Sequence, residues 1–156
     1  MRSHDGDGHA ATAMPIARGL SFVELMELLE FSRLRFEAPG TDACATLIGT
    51  QEWRRGVDGN ALAPSAIYIC STLDALRDAV LPPADARLDI DMPSLGRVRL
   101  MATMRRQVTP LPQPCLRVDL QALVRRVLVP ADAPPHLYDL VRHVVMARLW
   151  IEVARI

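Results

Sequence analysis

The sequence predicts an α+β domain in which a largely antiparallel β-sheet, arranged as a meander, packs against α-helices. Three stretches between residues 87 and 124 alternate apolar and polar side chains, as a strand does when one of its faces is buried. These stretches are residues 87–92, 97–108 and 116–124. Consecutive strands that each keep one polar face are typical of an antiparallel sheet that is covered on its other side.

The chain is 156 residues long, a length that fits one domain. Half of its residues are hydrophobic and only 4% are aromatic, so the core is expected to consist of aliphatic side chains. The 18 basic residues balance the 18 acidic ones, and every basic residue is an arginine. Because a general nucleic-acid binder usually carries a basic excess, direct nucleic-acid binding is not expected.

Residues 1–18 are polar, contain glycines and show no periodicity. They predict a disordered N-terminal tail, followed by a single domain over residues 19–156. No apolar run approaches the roughly 20 residues that a membrane span needs, and no hydrophobic segment marks a signal peptide. Cys44, Cys70 and Cys115 are odd in number and widely spaced in apolar settings, as expected of reduced, buried thiols. We therefore expect a cytoplasmic protein without a membrane segment.

The first helix is predicted to begin at Ser21. A serine at the N-cap with Glu24 three residues later is the capping-box pattern, and apolar residues follow at helical spacing as far as Leu29. The alternation after Arg33 predicts a short strand. Residues 43–54 contain the β-branched and aromatic side chains that favour a further strand.

Residues 65–81 admit two interpretations. A single helix would place an apolar stripe on one face of the whole segment. Alternatively, residues 65–70 form a strand and Ser71 caps a helix that begins at Thr72. In both cases a helix covers residues 73–80 and ends at Pro82, because proline cannot continue it.

The last helix is predicted over residues 136–154. Its apolar residues form two rows at helical spacing, namely Leu140, Val144, Ala147 and Ile151, and Val141, Val145, Leu149 and Val153. This apolar surface is wider than one sheet face needs. The surplus predicts burial against a second copy of the chain, so a homodimer is expected.

No motif for catalysis or cofactor binding is present. His136 and His143 are seven residues apart with no further ligand around them, and neither paired CxxC segments nor a His-Glu-x-x-His helix occurs. A nucleophile elbow is missing, and a P-loop would need the lysine that this chain lacks. We therefore expect no enzyme activity, no catalytic residue, no metal and no cofactor.

The main charged feature is a group of seven arginines between residues 97 and 126, with a single acid among them. One interpretation is a phosphate-binding surface, since the arginine fork suits phosphate. The other is a solvated sheet face whose arginines pair with acids across strands or with an acidic partner. Sheets that bind nucleic acids usually expose aromatic side chains for stacking, and this stretch has none. The structural interpretation is therefore favoured.

Two short segments resemble the RsaM family of small quorum-sensing regulators. They are the amphipathic helix start Leu20–Leu29 and the segment Gly49–Trp53. The resemblance implies a bacterial negative regulator of acyl-homoserine lactone signalling that has no recognisable DNA-binding motif and acts through protein contacts or indirectly. It adds two residues to the arginines as a candidate interaction surface, which comprises Arg97, Arg99, Arg105, Arg117, Glu52 and Trp53. For Trp53, a place in the core is the stronger interpretation.

A second resemblance belongs to another functional class. A helix over residues 65–80 followed by antiparallel strands is similar to the latter part of a hotdog-fold acyl-thioester hydrolase or acyl-ligand-binding protein. The similarity implies a catalytic acid at Asp74 or Asp78. However, the approach to this helix reads Ala-Leu-Ala-Pro-Ser where that family has glycines. A third alternative is a plain interaction module that uses the C-terminal helix.

Overall fold

A computed structural model describes residues 14–37, 47–56, 66–82, 86–104 and 115–156 of the chain. These residues form ten strands and four helices. Their order is β1 (Pro15–Leu20), α1 (Phe22–Phe31), β2 (Arg33–Arg35), β3 (Leu47–Arg55), β4 (Ile67–Thr72), α2 (Leu73–Ala79), β5 (Val80–Leu81), β6 (Ala86–Ser94), β7 (Arg97–Met104), β8 (Cys115–Val118), α3 (Leu120–Leu123), β9 (Arg126–Val129), α4 (Pro135–Met146) and β10 (Glu152–Arg155). None of the helices in these segments is long and apolar enough to cross a membrane.

The strands form two sheets. The larger has seven strands in the order β10-β9-β4-β1-β3-β7-β6, and the smaller has three in the order β2-β8-β5. All neighbours are antiparallel except β9 and β10, which are parallel because α4 carries the chain back between them. The fold class predicted from the sequence, α+β with a largely antiparallel sheet packed against helices, is therefore confirmed.

The main core lies between one face of the larger sheet and the helices, with the smaller sheet closing one side. From the larger sheet it receives apolar side chains of β1, β3, β4, β7 and β9, including Ile16, Trp53 and Leu100. The helices add a similar set, of which Leu28 on α1 and Val141 on α4 are fully buried. Since both sheets and all four helices contribute to this cluster, the described segments form one hydrophobic unit.

The predicted meander is half right. The strands β6 and β7 form an antiparallel hairpin, and the alternation in β7 buries Val98, Leu100 and Ala102 as expected. The third strand is not their neighbour, because β8 lies between β2 and β5 in the smaller sheet. The prediction is also wrong after Val118, where the Asp119 side chain accepts a hydrogen bond from the Ala122 backbone N–H and caps the short helix α3.

The predicted N-terminal tail is wrong for residues 14–18, and residues 1–13 lie outside the described segments. Pro15–Leu20 is β1, the middle strand of the larger sheet, which pairs with β4 along its whole length and with β3 at Ile16 and Ala17. Ile16 and Ala17 point to opposite faces of the sheet and are both fully buried. A strand buried on both faces has no polar alternation, so periodicity could not reveal it.

Residues 65–81 follow the second of the two interpretations, as far as they are described. Ile67–Thr72 is the strand β4, with five consecutive buried residues, and the helix α2 then has only seven residues. Its N-cap is Thr72 rather than Ser71, since the Thr72 hydroxyl accepts a hydrogen bond from the Ala75 N–H at 3.2 Å. The long helix on which the resemblance to a hotdog fold depended is therefore not present.

The last predicted helix is too long. The helix α4 ends at Met146, and Glu152–Arg155 forms β10 beside β9. The first row ends at Ile151, just before this strand, and only Val153 of the second row lies in it. A short apolar segment of this kind fits helical spacing and strand alternation alike. The second row is buried at Val141 and Val145, whereas Leu140 of the first row is 44% exposed.

The first helix was predicted correctly, and its cap can be tested. The Ser21 hydroxyl accepts a hydrogen bond from the Glu24 N–H at 3.1 Å, and the helix ends where Ser32 takes the left-handed conformation. Replacing Ser21 by alanine is expected to lower the free energy of unfolding by about 1 kcal/mol in urea denaturation, because one N-terminal N–H loses its partner. Ser94→Ala, at an exposed site, is the matched control. Equal effects of the two substitutions would contradict the role of the cap.

Candidate functional site

Trp53 belongs to the core and not to a surface. Its side chain is 1% exposed, and its indole N–H donates to the Gln51 Oε1 at 2.7 Å. The Gln51 amide in turn donates to the Arg35 carbonyl at 2.7 Å, so a buried chain of hydrogen bonds connects β3 to β2. Glu52 points the other way and is exposed. Of the two residues suggested by the family resemblance, only Glu52 is accessible to a partner.

The arginines predicted as a cluster are spread over separate surfaces. Arg97 and Arg99 lie on β7 in the larger sheet, whereas Arg117 lies on β8 in the smaller one. Arg105 and Arg106 lie outside the described segments. Arg97 approaches Glu52 at 3.9 Å, and Arg99 stands directly opposite Glu52 on the neighbouring strand. An ion pair with an acid across the strands is therefore present for Arg97, and for Arg99 the register places an acid opposite.

A charged cleft opens where β1 and β3 separate. The two strands pair only at Ile16↔Arg55 and Ala17↔Arg54, after which β1 continues along β4 and β3 along β7. Further along the same edge of β3, Thr50 exchanges backbone hydrogen bonds of 2.7 and 3.1 Å with Glu37. Between these two points the strand edge borders a cavity of about 420 Å³. Its charged lining consists of Arg18, Arg35, Arg54, Glu24, Glu37 and Glu52.

Arg18 is the innermost charge of this cleft. It follows Ile16 on the core face of β1 and its side chain is mostly buried. The guanidinium Nη1 donates to the Glu52 carbonyl oxygen at 2.9 Å and so bridges the gap between the strands. Burial lowers the pKa of Arg18 from its ordinary value, while nearby carboxylates, Glu24 above all, oppose this shift. The strand β1 thus carries a poorly hydrated cation into the cleft.

Arg35 differs from Arg18 because it already has a partner. Its Nη2 lies 2.6 Å from the Glu27 Oε2 on α1, and this hydrogen bond raises the pKa of Arg35 further. The pair connects β2 to α1 at the back of the cleft. Arg18 has no such neighbour, since among the described residues no carboxylate oxygen lies within 4.0 Å of its guanidinium.

Of these cleft residues only Glu52 was proposed from the sequence as part of a functional surface, and Glu24 was identified only as part of the capping box. They come from β1, α1, the end of β2 and β3, and no spacing along the chain relates them. One local signal was present, because Arg18 interrupts the apolar segment 14–20. A charged residue inside such a segment can indicate a buried functional group, but only once the segment is known to be a strand.

The described thiols are poor nucleophiles. Cys70 is buried, and this burial raises the pKa of its thiol to about 11 against the opposing effect of Arg126. Cys115 is partly buried, its pKa is also raised by burial, and its Sγ lies 4.0 Å from the Glu27 Oε1. Neither forms a disulfide. Cys44 lies outside the described segments.

The raised pKa of Cys70 predicts a loss of stability in alkali. The folded state holds the thiol proton more tightly than the unfolded chain, whose cysteine pKa is about 8.5. The resulting stabilisation is complete below that value and is lost as the pH rises towards about 11. Urea denaturation across this range should show a smaller decline for Cys70→Ala than for the wild type. Parallel declines would contradict the assignment.

The histidines do not form a metal site with their neighbours. His136 and His143 are both exposed on α4. The part of the chain that the structure describes contains no group of three or more histidine, cysteine or acidic side chains placed to hold an ion.

Comparison with protein-family models, with curated proteins and with solved structures finds no match to this chain.

Proposed function

We propose that this protein is a cytoplasmic regulator that restrains acyl-homoserine lactone quorum sensing through protein contacts. The observation that supports it is the location of the two segments that carry the family resemblance. Leu20–Leu29 and Gly49–Trp53 are distant in sequence, yet Glu24 from the first and Glu52 from the second line the same cleft. If the two segments shared only core residues with that family, their exposed charges would have no reason to meet. Instead Glu24 and Glu52 line one cleft.

Control through protein contacts agrees with the distribution of charge. Binding to phosphates requires several arginines on one surface, and the predicted cluster is divided, with Arg97 and Arg99 in the larger sheet and Arg117 in the smaller one. Several are engaged with acids on the protein itself, as in the pair between Arg126 and Glu152 at 3.0 Å. The cleft instead presents both signs of charge, which suits a polar protein partner better than a nucleic acid.

We also propose that the protein acts as a homodimer. The end of α4 and the residues after it expose large apolar side chains, with Leu140 at 44%, Met146 at 39% and Trp150 at 92%. Trp150 is the most exposed of them, and tryptophan is strongly enriched in protein interfaces. Light scattering coupled to gel filtration should give the mass of two chains for the wild type and of one chain for Trp150→Ala. A wild-type mass of one chain would contradict the dimer.

The regulatory role is tested by measuring acyl-homoserine lactone output with and without the gene. Deletion should raise the signal, and the wild-type gene should restore it. A gene carrying Glu24→Arg and Glu52→Arg should not restore it, whereas the matched charge reversal Asp132→Arg, at an exposed turn, should. An unchanged signal on deletion, under conditions where the gene is expressed, would reject the function. Full restoration by the double variant would reject the cleft as the site.

A further inference from the structure

We propose that the cleft between β1 and β3 binds a small zwitterion of the α-amino acid class, with its carboxylate on Arg18 and its ammonium group facing Glu24 and Glu37. This inference does not depend on the proposed function, since a binding protein of any role could carry such a site. It rests on the cavity, on the charges that line it and on the backbone groups at its floor.

The space is suitable for a small molecule. A volume of about 420 Å³ lies within the range of roughly 300 to 1,000 Å³ that is typical of ligand sites. The cleft is bounded mainly by strands and by the first turn of α1, and Glu37, which follows β2, is fixed to β3 by its two backbone hydrogen bonds with Thr50. A site built on strands and helices holds its polar groups in fixed positions, which lowers the entropic cost of binding.

Strand backbone contributes to the floor of the cleft. The N–H and C=O of Thr50 point towards Glu37. Backbone groups of successive residues point to opposite edges of a strand, so those of Glu52, two residues later, point to the same edge as those of Thr50. On β1 the Pro15 carbonyl accepts a hydrogen bond from the Gly56 N–H and so points towards β3. By the same alternation the backbone groups of Gly19, four residues later, also point towards β3. Because the ladder between the strands ends at Ala17, these groups border the opening.

Arg18 provides the anionic subsite. A buried cation is costly unless a charge compensates it, and among the described residues no carboxylate oxygen approaches its guanidinium within 4.0 Å. Within the described segments its guanidinium donates one hydrogen bond, to the Glu52 carbonyl, and so uses one of its five N–H donors. The guanidinium fork matches a carboxylate in geometry, so a ligand carboxylate would supply the missing partner.

Glu24 and Glu37 provide the cationic subsite. Within the described segments no arginine nitrogen lies within 4.0 Å of either carboxylate, whereas Glu27 and Glu52 each approach an arginine. Both raise the pKa of Arg18 through their charge, so they lie near the anionic subsite. A simple anion would satisfy Arg18 but be repelled by these glutamates. An α-amino acid, which carries its ammonium and carboxylate groups on one carbon, matches both subsites.

The ligand class is tested by titrating the full chain with the standard L-amino acids and measuring binding by calorimetry and ligand-observed NMR. At least one should bind with a dissociation constant in the millimolar range or below. Its carboxamide and its N-acetyl derivative should each bind at least about tenfold more weakly, because each lacks one of the two charges. No binding by any amino acid, or equal binding by either derivative, would overturn the proposal.

The location is tested with variants of the two subsites. Arg18→Met keeps the aliphatic volume and should weaken binding at least about tenfold. Glu37→Gln, at an exposed position, should weaken it as well and is not expected to affect folding. Arg87→Met and Glu152→Gln, on other surfaces, are the matched controls. If Arg18→Met does not fold, Glu24→Gln and Glu37→Gln decide the question, and unchanged affinity in both would overturn the assignment to this cleft.

Discussion

Replacing Trp53 by alanine is expected to lower the free energy of unfolding by about 3–5 kcal/mol, the range for removal of a buried aromatic side chain. The indole is 1% exposed and packs in the main core between the larger sheet and the helices. The substitution also removes the hydrogen bond to Gln51, which is fully buried and cannot replace its lost partner with water. Urea denaturation followed by circular dichroism measures the effect.

The chain contains its own control for this experiment. Trp150 is 92% exposed, so Trp150→Ala should change the stability by less than about 0.5 kcal/mol at a protein concentration where the wild type is monomeric. This variant also leaves Trp53 as the sole tryptophan, and emission excited at the red edge of tryptophan absorption should then be that of an indole shielded from water. Similar losses of stability in the two variants would contradict the burial assigned to Trp53.

Ile16→Ala is expected to lower the free energy of unfolding by about 2–5 kcal/mol. Ile16 is fully buried in β1, the central strand of the larger sheet, which has three strands on each side of it. The substitution leaves a cavity where the sheet meets the helices. Well-ordered strands on both sides prevent a collapse that would fill it, so the cost should lie well above that of a surface change.

Val23→Ala is the control for Ile16→Ala. Val23 is 68% exposed on α1, and alanine favours a helix slightly more than valine does, so the stability should stay unchanged or rise slightly. Amide hydrogen exchange gives an independent measurement. The backbone N–H groups of residues 16–20 should exchange slowly, as expected for a central strand. Exchange of residues 16–18 at the rate of an unfolded chain would restore their interpretation as part of a tail.

The parts of the fold that could be predicted are those in which one side of an element faces water. The hairpin of β6 and β7 and the helix α1 have a polar face, and α1 also has a serine cap, so periodicity and capping identified them. The strand β1 was missed because Ile16 and Ala17 are buried on opposite faces. Residues 148–154 were assigned to a helix because short apolar segments fit both periods, and only the pairing with β9 favours the strand.

Less of the candidate site than of the fold could be predicted from the sequence. Glu52 was identified through a family resemblance, whereas Arg18 was assigned to the predicted tail. The cleft exists because two strands that pair over two residues then follow different neighbours. That divergence is a property of the whole sheet and is not encoded in any local spacing. Residue types and distances along the chain therefore carry little information about this site.

The position of β1 also constrains the order in which the protein assembles during synthesis. This strand precedes both of its neighbours in the chain, and its longer ladder, to β4, closes only when Thr72 has been made. Until then only the two-residue pairing with β3 is open to Ile16 and Ala17, and the nascent chain must keep this apolar strand from pairing with other molecules. After β4 arrives, the sheet can grow outward from its centre in both directions. Such distant pairings slow folding, so a chaperone that holds this segment on the ribosome should increase the yield of native protein.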